Sequence, residues 1–449
     1  MLVIEPEKKI PVIYDVDVAV AGGGIAGTIA ALAAARNGAK TLVIDRFGSF
    51  GGNMGPGMFG GGSMHYALQD DEALVNKIGL GGIPEEFLRR IIFSRPNADG
   101  MTEEMCKKLE SAHLNVPELR VGAGGGLPGY AIDSHVASHV AFKMMAESEV
   151  QMLLSVYVAD PIMEGSKVKG LLVETKSGRL AVKAKVVIDA TGEGDVAFRA
   201  GAPMLNRSPN CGVAFAIKNV DWETYQKHGN PKEADGFHYV REIADYPKAG
   251  VGISLKSPKN DICFGRTGGG AEGIDFSDAK QVTLIEREHR EHVFEYAAFM
   301  RKHTRGFENS YLLFVAPYLG ARGGRTIDPV QRVTNADLMA QRKFDDVIYI
   351  YFHDKSPDFC DVPYRIMLPK QIDGLLAAGR SGLYYGPNFR QRWSVMLNAQ
   401  AAGIAAAFSV AEGVEPRNLD VKKLQKALVK LGCPLGDERR IKELGLELY

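Results

Sequence analysis

Between Val16 and Asp45 the chain carries one unit that leaves few folds open to it. Val16 to Ala21 reads VDVAVA, a short β-branched apolar run of the kind that forms a buried strand, and it ends directly in Gly22-Gly23-Gly24. An alanine-rich stretch from Ile25 to Asn37 follows, with a further glycine at Gly27, and stops at Gly38, where a left-handed cap residue is expected. Thr41 to Asp45 then gives a second apolar strand that ends in an acid. Strand, glycine turn, helix and strand make a βαβ unit, the element of a parallel sheet covered by helices. In the spacing Gly22-x-Gly24-x-x-Gly27 the first glycine makes the tight turn, the second admits a pyrophosphate, and the third lets helix and strand approach. The helix N-terminus supplies unpaired N–H groups and about half a positive charge for that anion. Asp45 stands 21 residues after Gly24, the spacing at which an acid accepts hydrogen bonds from ribose hydroxyls. The unit predicts a dinucleotide site.

Glycine is the skewed component, 51 of 449 residues, and it clusters. Gly48 to Gly62 is too glycine-rich for helix or strand and reads as a loop against a ligand or another backbone. A second match to the motif, Gly124-x-Gly126-x-x-Gly129, lacks a clear strand before it and contains Pro128, so it is read as a decoy. Asp133 to Glu147 predicts a helix capped by Asp133, Gln151 to Glu174 strands with a turn at Glu164-Gly165, and Val186 to Ala190 (VVIDA) another buried strand running into Gly192-Glu193-Gly194. From about 200 to 355 the pattern changes to mixed strands, loops and one charged helix over Asp278 to His303, whose alternating signs suit a solvated face. Gly374 to Gly379 then repeats strand into glycine, Ser394 to Glu412 reads as a small-residue helix ending near Gly413, and a Lys/Leu-rich tail follows.

The chain thus revisits one sheet, and its segments resemble the FAD-dependent oxidoreductases of glutathione-reductase-type fold, in the subfamily without a redox-active disulfide. The matching stretches are AGGGIAGTIAALAAARNGAKTLVIDR at 21–46, FGGN at 50–53, VVIDATGEGDVA at 186–197, GARGGRTI at 320–327, PYRIMLPKQIDGLLAAGRSG at 363–382 and RQRWSVMLNAQAAGIAAA at 390–407. The resemblance implies an α/β chain: a Rossmann-like FAD-binding domain of residues 1–65, 121–200 and 360–415, a helical insertion at 66–120, an inserted mixed α+β substrate or cap domain at 201–359, and a helical tail at 416–449. It implies non-covalent FAD, with Gly22, Gly24 and Gly27 on the pyrophosphate, Asp45 on the adenosine ribose, and Arg46, Gly52 and Asn53 on the adenosine and pyrophosphate side. Ala190, Thr191 and Gly192 would lie beside the adenosine half, Gly379 by the ribityl-phosphate chain, and the helix beginning near Ser394 to Met396 would aim its positive end at the flavin N1/C2 carbonyl. The sequence departs from the family at Gly320-Ala-Arg322-Gly-Gly-Arg325, which lacks an acid and one arginine of the usual segment, and at Ser381, where cysteine is common.

Flavin chemistry needs a cation to hold developing negative charge and a group to move a proton. Arg390, Arg322 and Arg325 are the candidate cations, the last two with a salt bridge across the domain interface as the competing role. His65 follows the glycine loop and is a candidate acid or base; His353, with Tyr351 in the strand-like IYIYFHD, is a candidate to face the flavin. His135 and His139 share a helix face, but no third ligand accompanies them, and no metal is expected.

Lys plus Arg and Asp plus Glu are both 54, so there is no basic surplus for a nucleic acid. The five cysteines are far apart and include no CxxC, which fits a reducing, cytoplasmic setting and disfavours disulfide reduction. No signal peptide or membrane span is read, and an oligomeric interface, with a homo-oligomer as the expected assembly, is compatible with 45% hydrophobic content. The expected function is hydride transfer between flavin N5 and a small polar organic substrate such as a hydroxy acid, enoate or sugar-like alcohol. An electron-transfer subunit of a larger complex and a flavin monooxygenase are the alternatives. The second lacks both a convincing second nucleotide motif and the GD-A-H-x-x-x-P segment of hydroxylases.

Overall fold

The computed structural model of the chain describes residues 3–4, 6–55, 57, 62–65, 80–93, 129–132, 134–207, 210–228, 252–255, 262–270, 274–321, 323–352, 359–383, 389 and 391–447. Its main sheet is built around four strands in the order β5 (Gln151–Leu154), β2 (Thr41–Asp45), β1 (Val12–Ala21) and β8 (Gly178–Asp189), all parallel, with β18 (Leu375–Ala377) parallel on β8. Two antiparallel strands, β7 (Lys167–Thr175) and β6 (Tyr157–Glu164), extend it beyond β8. The register sets Ala21 beside Ile44 and Asp189, and Asp189 beside Ala377, so the chain leaves these strands level at one edge. Ligands of open parallel sheets bind at that edge.

One face of the sheet is covered by α1 (Ile25–Arg36), α2 (Gly82–Phe93), α3 (Ser134–Glu147) and the 21-residue α8 (Arg392–Glu412). α1 and α8 meet through small residues: a Cβ built on Gly403 would lie 2.2 Å from the Ala30 carbonyl oxygen and 2.6 Å from Ala33 Cβ. α8 is long and apolar enough to cross a membrane, but most of it is buried inside the protein, which makes it the core helix of this layer. Gln400 at its centre accepts the Ile83 N–H at 2.8 Å and donates to Cys433 Sγ at 3.0 Å, bracketing α2 and the C-terminal segment against it.

That segment is less of a tail than its composition suggests. α9 (Val421–Lys430) and α10 (Glu438–Glu443) belong to it, and Leu424, Leu428, Leu435, Leu444 and Leu446 join the main core. Val333, Phe344, Val347 and Tyr349, expected in the second domain, pack in the same core, as does the hairpin of β16 (Val347–Phe352) and β17 (Phe359–Pro363). Local composition could not reveal either, because a half-apolar helix or hairpin is placed by the surface it finds.

The second unit is joined through an antiparallel pair, β9 (Met204–Arg207) with β15 (Gly324–Ile327). Its antiparallel sheet runs β10 (Asn210–Cys211), β13 (Ile262–Gly270), β11 (Ala214–Lys218) and β14 (Tyr311–Val315), with β12 (Gly252–Leu255) also on β13. The long α6 (Ala279–His303) is capped by Asp278, whose side chain accepts the Lys280 and Gln281 N–H groups. Its charges sit on one face, while the other packs Val293, Tyr296 and Phe299 on Phe215, Ile217 and Cys263 and also buries His289 and His292.

Candidate cofactor site

At the end of β1 the backbone reverses at Gly22, whose φ of +98° suits glycine, and a side chain there would lie 2.5 Å from the Ala190 carbonyl oxygen. Gly27 is equally committed, since a Cβ on it would stand 1.7 Å from the Gly22 carbonyl oxygen, and this close approach seats α1 on the turn. Gly24 differs from both: among the described residues nothing lies within 4 Å of where its Cβ would be. It is the N-cap of α1, no side chain caps that end, and the first turn holds no acid. The first turn of α1 therefore presents a positive helix end that no side chain caps.

A second helix end converges here. Gly379, after β18, has φ +59°, and a Cβ on it would lie 2.6 Å from Ala26 Cβ and 3.3 Å from Val395 Cγ1. Ala26 and Val395 both stand in the first turns of their helices, and Ala30 and Ala33 meet Gly403 further along, so α1 and α8 run parallel. Gln391 gives α8 no side-chain cap, and its first turn also lacks an acid. Two N-termini without side-chain caps lie side by side, an arrangement suited to an anion. Gly379 shapes it through its conformation, because its own N–H is taken by Asn398 Oδ1 at 2.8 Å.

Asp45 is buried at the end of β2, where it accepts hydrogen bonds from the Gly23 and Phe47 N–H groups, and burial raises its pKa from the ordinary value. It is a bracket that ties the glycine turn to β2. Arg46 is exposed, with its guanidinium 4.7 Å from the Phe47 ring centroid and 5.9 Å from that of Tyr318. Phe47 and Tyr318 stack at 4.4 Å, so a residue of the second unit closes on this end of the cleft. The 50–55 segment crosses the glycine turn: Gly51 N–H donates to the Gly23 carbonyl at 3.0 Å, and a Cβ on Gly52 would lie 3.1 Å from Gly24 Cα. Asn53, in the 3-10 turn Gly52–Met54, is exposed and accepts from Arg392 Nη2 at 3.0 Å.

The turn after β8 is closed. Asp189 is fully buried: its Oδ1 accepts from Thr191 N–H (3.1 Å), Thr191 Oγ1 (2.7 Å) and Ser381 Oγ (3.2 Å), and its Oδ2 from Ala197 N–H (2.9 Å). Burial raises its pKa, against the lowering effect of these donors. Ser381 Oγ in turn accepts the Gly192 N–H at 2.9 Å and the Gly194 N–H at 3.2 Å, and Ala190 N–H donates to Ala21. Ala190, Thr191 and Gly192 were expected beside the adenosine half of the cofactor. Their amides are spent inside the protein, so they can meet a ligand only through carbonyls and Cα surface. Sequence reading noticed Ser381 as a departure and missed its work, because its partners lie 187 to 192 residues away.

Other expectations also change. Ser394 and Met396 are fully buried, and Ser394 Oγ pairs with the Tyr349 hydroxyl at 2.7 Å, so these two residues can border the cleft through their backbone and not through their side chains. Tyr351 is fully buried, stacked on Trp393 at 5.5 Å, not turned to an open site. Arg325 is paired with Asp195 of α4 (Asp195–Arg199) at 2.6 Å and lies 4.1 Å over the Phe198 ring, a contact between the two units. Beside it Arg380 bonds Glu193 at 3.1 Å and also the Gly323 carbonyl. His65 lies in β3 (Gly62–His65), which pairs with β4 (Gly129–Ile132) through His65 and Gly129. Arg322, His353 and Arg390 lie outside the described residues.

The chain is similar to several known proteins. A thiamine thiazole synthase from Methanococcus vannielii is 28% identical over 188 residues, 40% of this chain and 57% of that protein, so the chain spans little more than half of the relative's length. Among solved structures, a geranylgeranyl bacteriochlorophyll reductase-like protein from Thermoplasma acidophilum is 16% identical, with 93% of this chain and 83% of that one covered at a TM-score of 0.45. The anhydrotetracycline hydroxylase from Streptomyces rimosus is 12% identical, with 96% and 72% covered at 0.47. The family model described as FAD dependent oxidoreductase matches residues 17–428, from β1 through the glycine turn to α9, and its cofactor suits two uncapped helix ends around an open Gly24. The chain belongs to the FAD-dependent oxidoreductase family.

Proposed function

We propose that this oxidoreductase transfers hydride between the flavin N5 and a small polar organic substrate of the hydroxy acid, enoate or sugar-like alcohol class. The observation that supports this reading is the state of the thiols. Cys211, Cys263, Cys360 and Cys433 are free and buried, and burial pushes each up to about 12. None is a thiolate near neutrality, so none of these four offers the dithiol exchange that would send electrons to a disulfide. A small molecule is then the natural partner.

Bound FAD supplies the hydride chemistry. The chain's part is to hold the diphosphate on the first amides of α1 and α8, with Gly24 leaving the room, and to seal the neighbouring strand ends through Asp189 and Ser381. Arg322 and Arg390 are proposed to orient an anionic or carbonyl oxygen of the substrate, and His65 or His353 to move the proton. A cytoplasmic homo-oligomer belongs to the same reading; the buried free thiols suit a reducing compartment.

The test is anaerobic titration of the purified flavoprotein with hydroxy acids, sugars, amines and enoates, the acceptors being offered to photoreduced enzyme. Rapid bleaching or reoxidation of the flavin by one class is expected. A flavin that responds to dithionite and to none of them contradicts the proposal.

A further inference from the structure

Asn398 stands in the second turn of α8 and is fully buried. Asparagine is a poor helix former, and among the described residues no acceptor meets its Nδ2, so the residue costs stability where it stands. What its side chain supplies is an acceptor: Oδ1 takes the Gly379 N–H at 2.8 Å. The Gly379 carbonyl oxygen accepts in turn from the Gly382 and Leu383 N–H groups at 3.0 and 2.8 Å, and Ala378 N–H donates to the Asp189 carbonyl oxygen at 2.8 Å. Of these bonds, the one to Asn398 ties the turn to α8. A neutral amide provides that acceptor without setting a buried negative charge in a helix whose N-terminus suits an anion.

The strand order gives Gly379 its side of the cleft. β2, β1, β8 and β18 lie in that order, so the glycine turn after β1 stands between Asp45, at the end of β2, and Gly379, just past β18. A dinucleotide with its diphosphate at Gly24 and its adenosine on the Asp45 side runs its other half toward Gly379 and α8. Gly379 is wedged there against Ala26 and Val395, in the first turns of α1 and α8.

We infer that Asn398 is a positioning residue for the flavin half of FAD: its Oδ1 fixes the Gly379 turn against the first turn of α8, on the side of the cleft where the ribityl-flavin portion passes. The inference rests on reading the cleft as the diphosphate site and is independent of the substrate.

Apoprotein carrying Asn398→Leu is titrated with FAD and with ADP, which has the adenosine and diphosphate but no ribityl chain or flavin, and its melting temperature is measured alongside. FAD affinity falls about tenfold, the size of one lost hydrogen bond to a buried amide, while ADP affinity stays within about twofold of the parent. The apoprotein melts close to the parent, because an unpaired Gly379 N–H replaces the unpaired Nδ2. Asn398→Asp keeps the acceptor and adds a charge, so its FAD and ADP affinities both fall and their ratio returns to the parent's. Unchanged FAD affinity in Asn398→Leu overturns the inference. So does an equal loss for FAD and ADP, the pattern of a residue that only supports the fold, and so does an Asn398→Asp protein with the leucine variant's ratio, since the acceptor would then not matter. If Asn398→Leu is insoluble, Asn398→Ala, which adds no atoms to the core, is read in the same way. Gly24→Ala separates the two levels. If it binds FAD and ADP normally, the cleft reading fails; if it loses both while Asn398→Leu keeps the parent's ratio, only the role of Asn398 fails.

Discussion

Two glycine turns lie side by side at one edge of the sheet, after β1 and after β8, and the structure treats them in opposite ways. Around Gly24 no side chain caps α1, and among the described residues nothing stands within 4 Å of the missing Cβ. Around Gly192 the amides are met by Asp189 and by the Ser381 hydroxyl, and Gly192 itself faces the Arg380 guanidinium, 3.1 Å from where its Cβ would be. Similar glycine content therefore carries different meanings. Bare amides at a helix end are a binding surface, because something outside the chain must satisfy them. Satisfied ones are a joint.

The largest test of this contrast is Gly27→Ala. The added methyl would overlap the Gly22 carbonyl oxygen at 1.7 Å, so α1 would have to leave the turn; a loss of about 3 kcal/mol or more is expected, seen as a collapse of soluble yield or melting temperature. An intact fold would mean that the turn is looser than its geometry.

Acid should find a different weak point, in the second unit. His289 is fully buried, with Nδ1 2.7 Å from Thr267 Oγ1, and burial, then His292 and Arg290, lower its pKa from 6.5 to about 4. His292 is buried and shifted the same way. The unfolded chain takes up these protons first, so the stability is complete above pH 6.5 and falls as pH drops toward about 4, by about 3 kcal/mol for His289. Hydrogen exchange at pH 7 and pH 4.5 should show β13 and α6 losing protection before β1 and β8. Uniform loss across both units would remove the distinction.

Ser381→Ala strips an acceptor from two N–H groups and a donor from Asp189. It should lower urea stability by about 2 kcal/mol while FAD affinity changes little. If affinity falls as steeply as it does for changes at the first turn, the second turn is no mere joint. Thr191→Val, which removes the hydroxyl donated to Asp189 and accepting from Asp195 N–H, should cost about 1 kcal/mol in the same assay.

Much of the first turn was legible in the sequence, because it is built from neighbours. β2 runs Thr41–Asp45 as its apolar run and terminal acid predict, α1 ends one residue before the expected Asn37, Gly38 takes the left-handed conformation expected of it, and α8 ends at Glu412, beside the expected Gly413. The charged helix also falls over the expected span, from its Asp278 cap to His303. Side-chain direction was not legible. Ser394 meets Tyr349 45 positions away and Asp189 meets Ser381 across 192, and no periodicity contains those partners. Asp45 shows the same limit at short range: its spacing predicts a ribose ligand, yet its nearest donors are the Gly23 and Phe47 amides that its buried position makes it serve.

The account turns on Gly24 being the floor of the diphosphate site, and one variant addresses that with little else disturbed. Gly24 has φ −61° and ψ −179°, which any residue adopts, and a methyl there meets none of the described residues within 4 Å. Apoprotein of Gly24→Ala should melt like the parent and bind FAD about 100-fold more weakly in a fluorescence titration, the loss of about 2.7 kcal/mol. FAD binding unchanged in a normally folded Gly24→Ala protein would contradict the account, because the space the methyl fills would then not be where the cofactor lies.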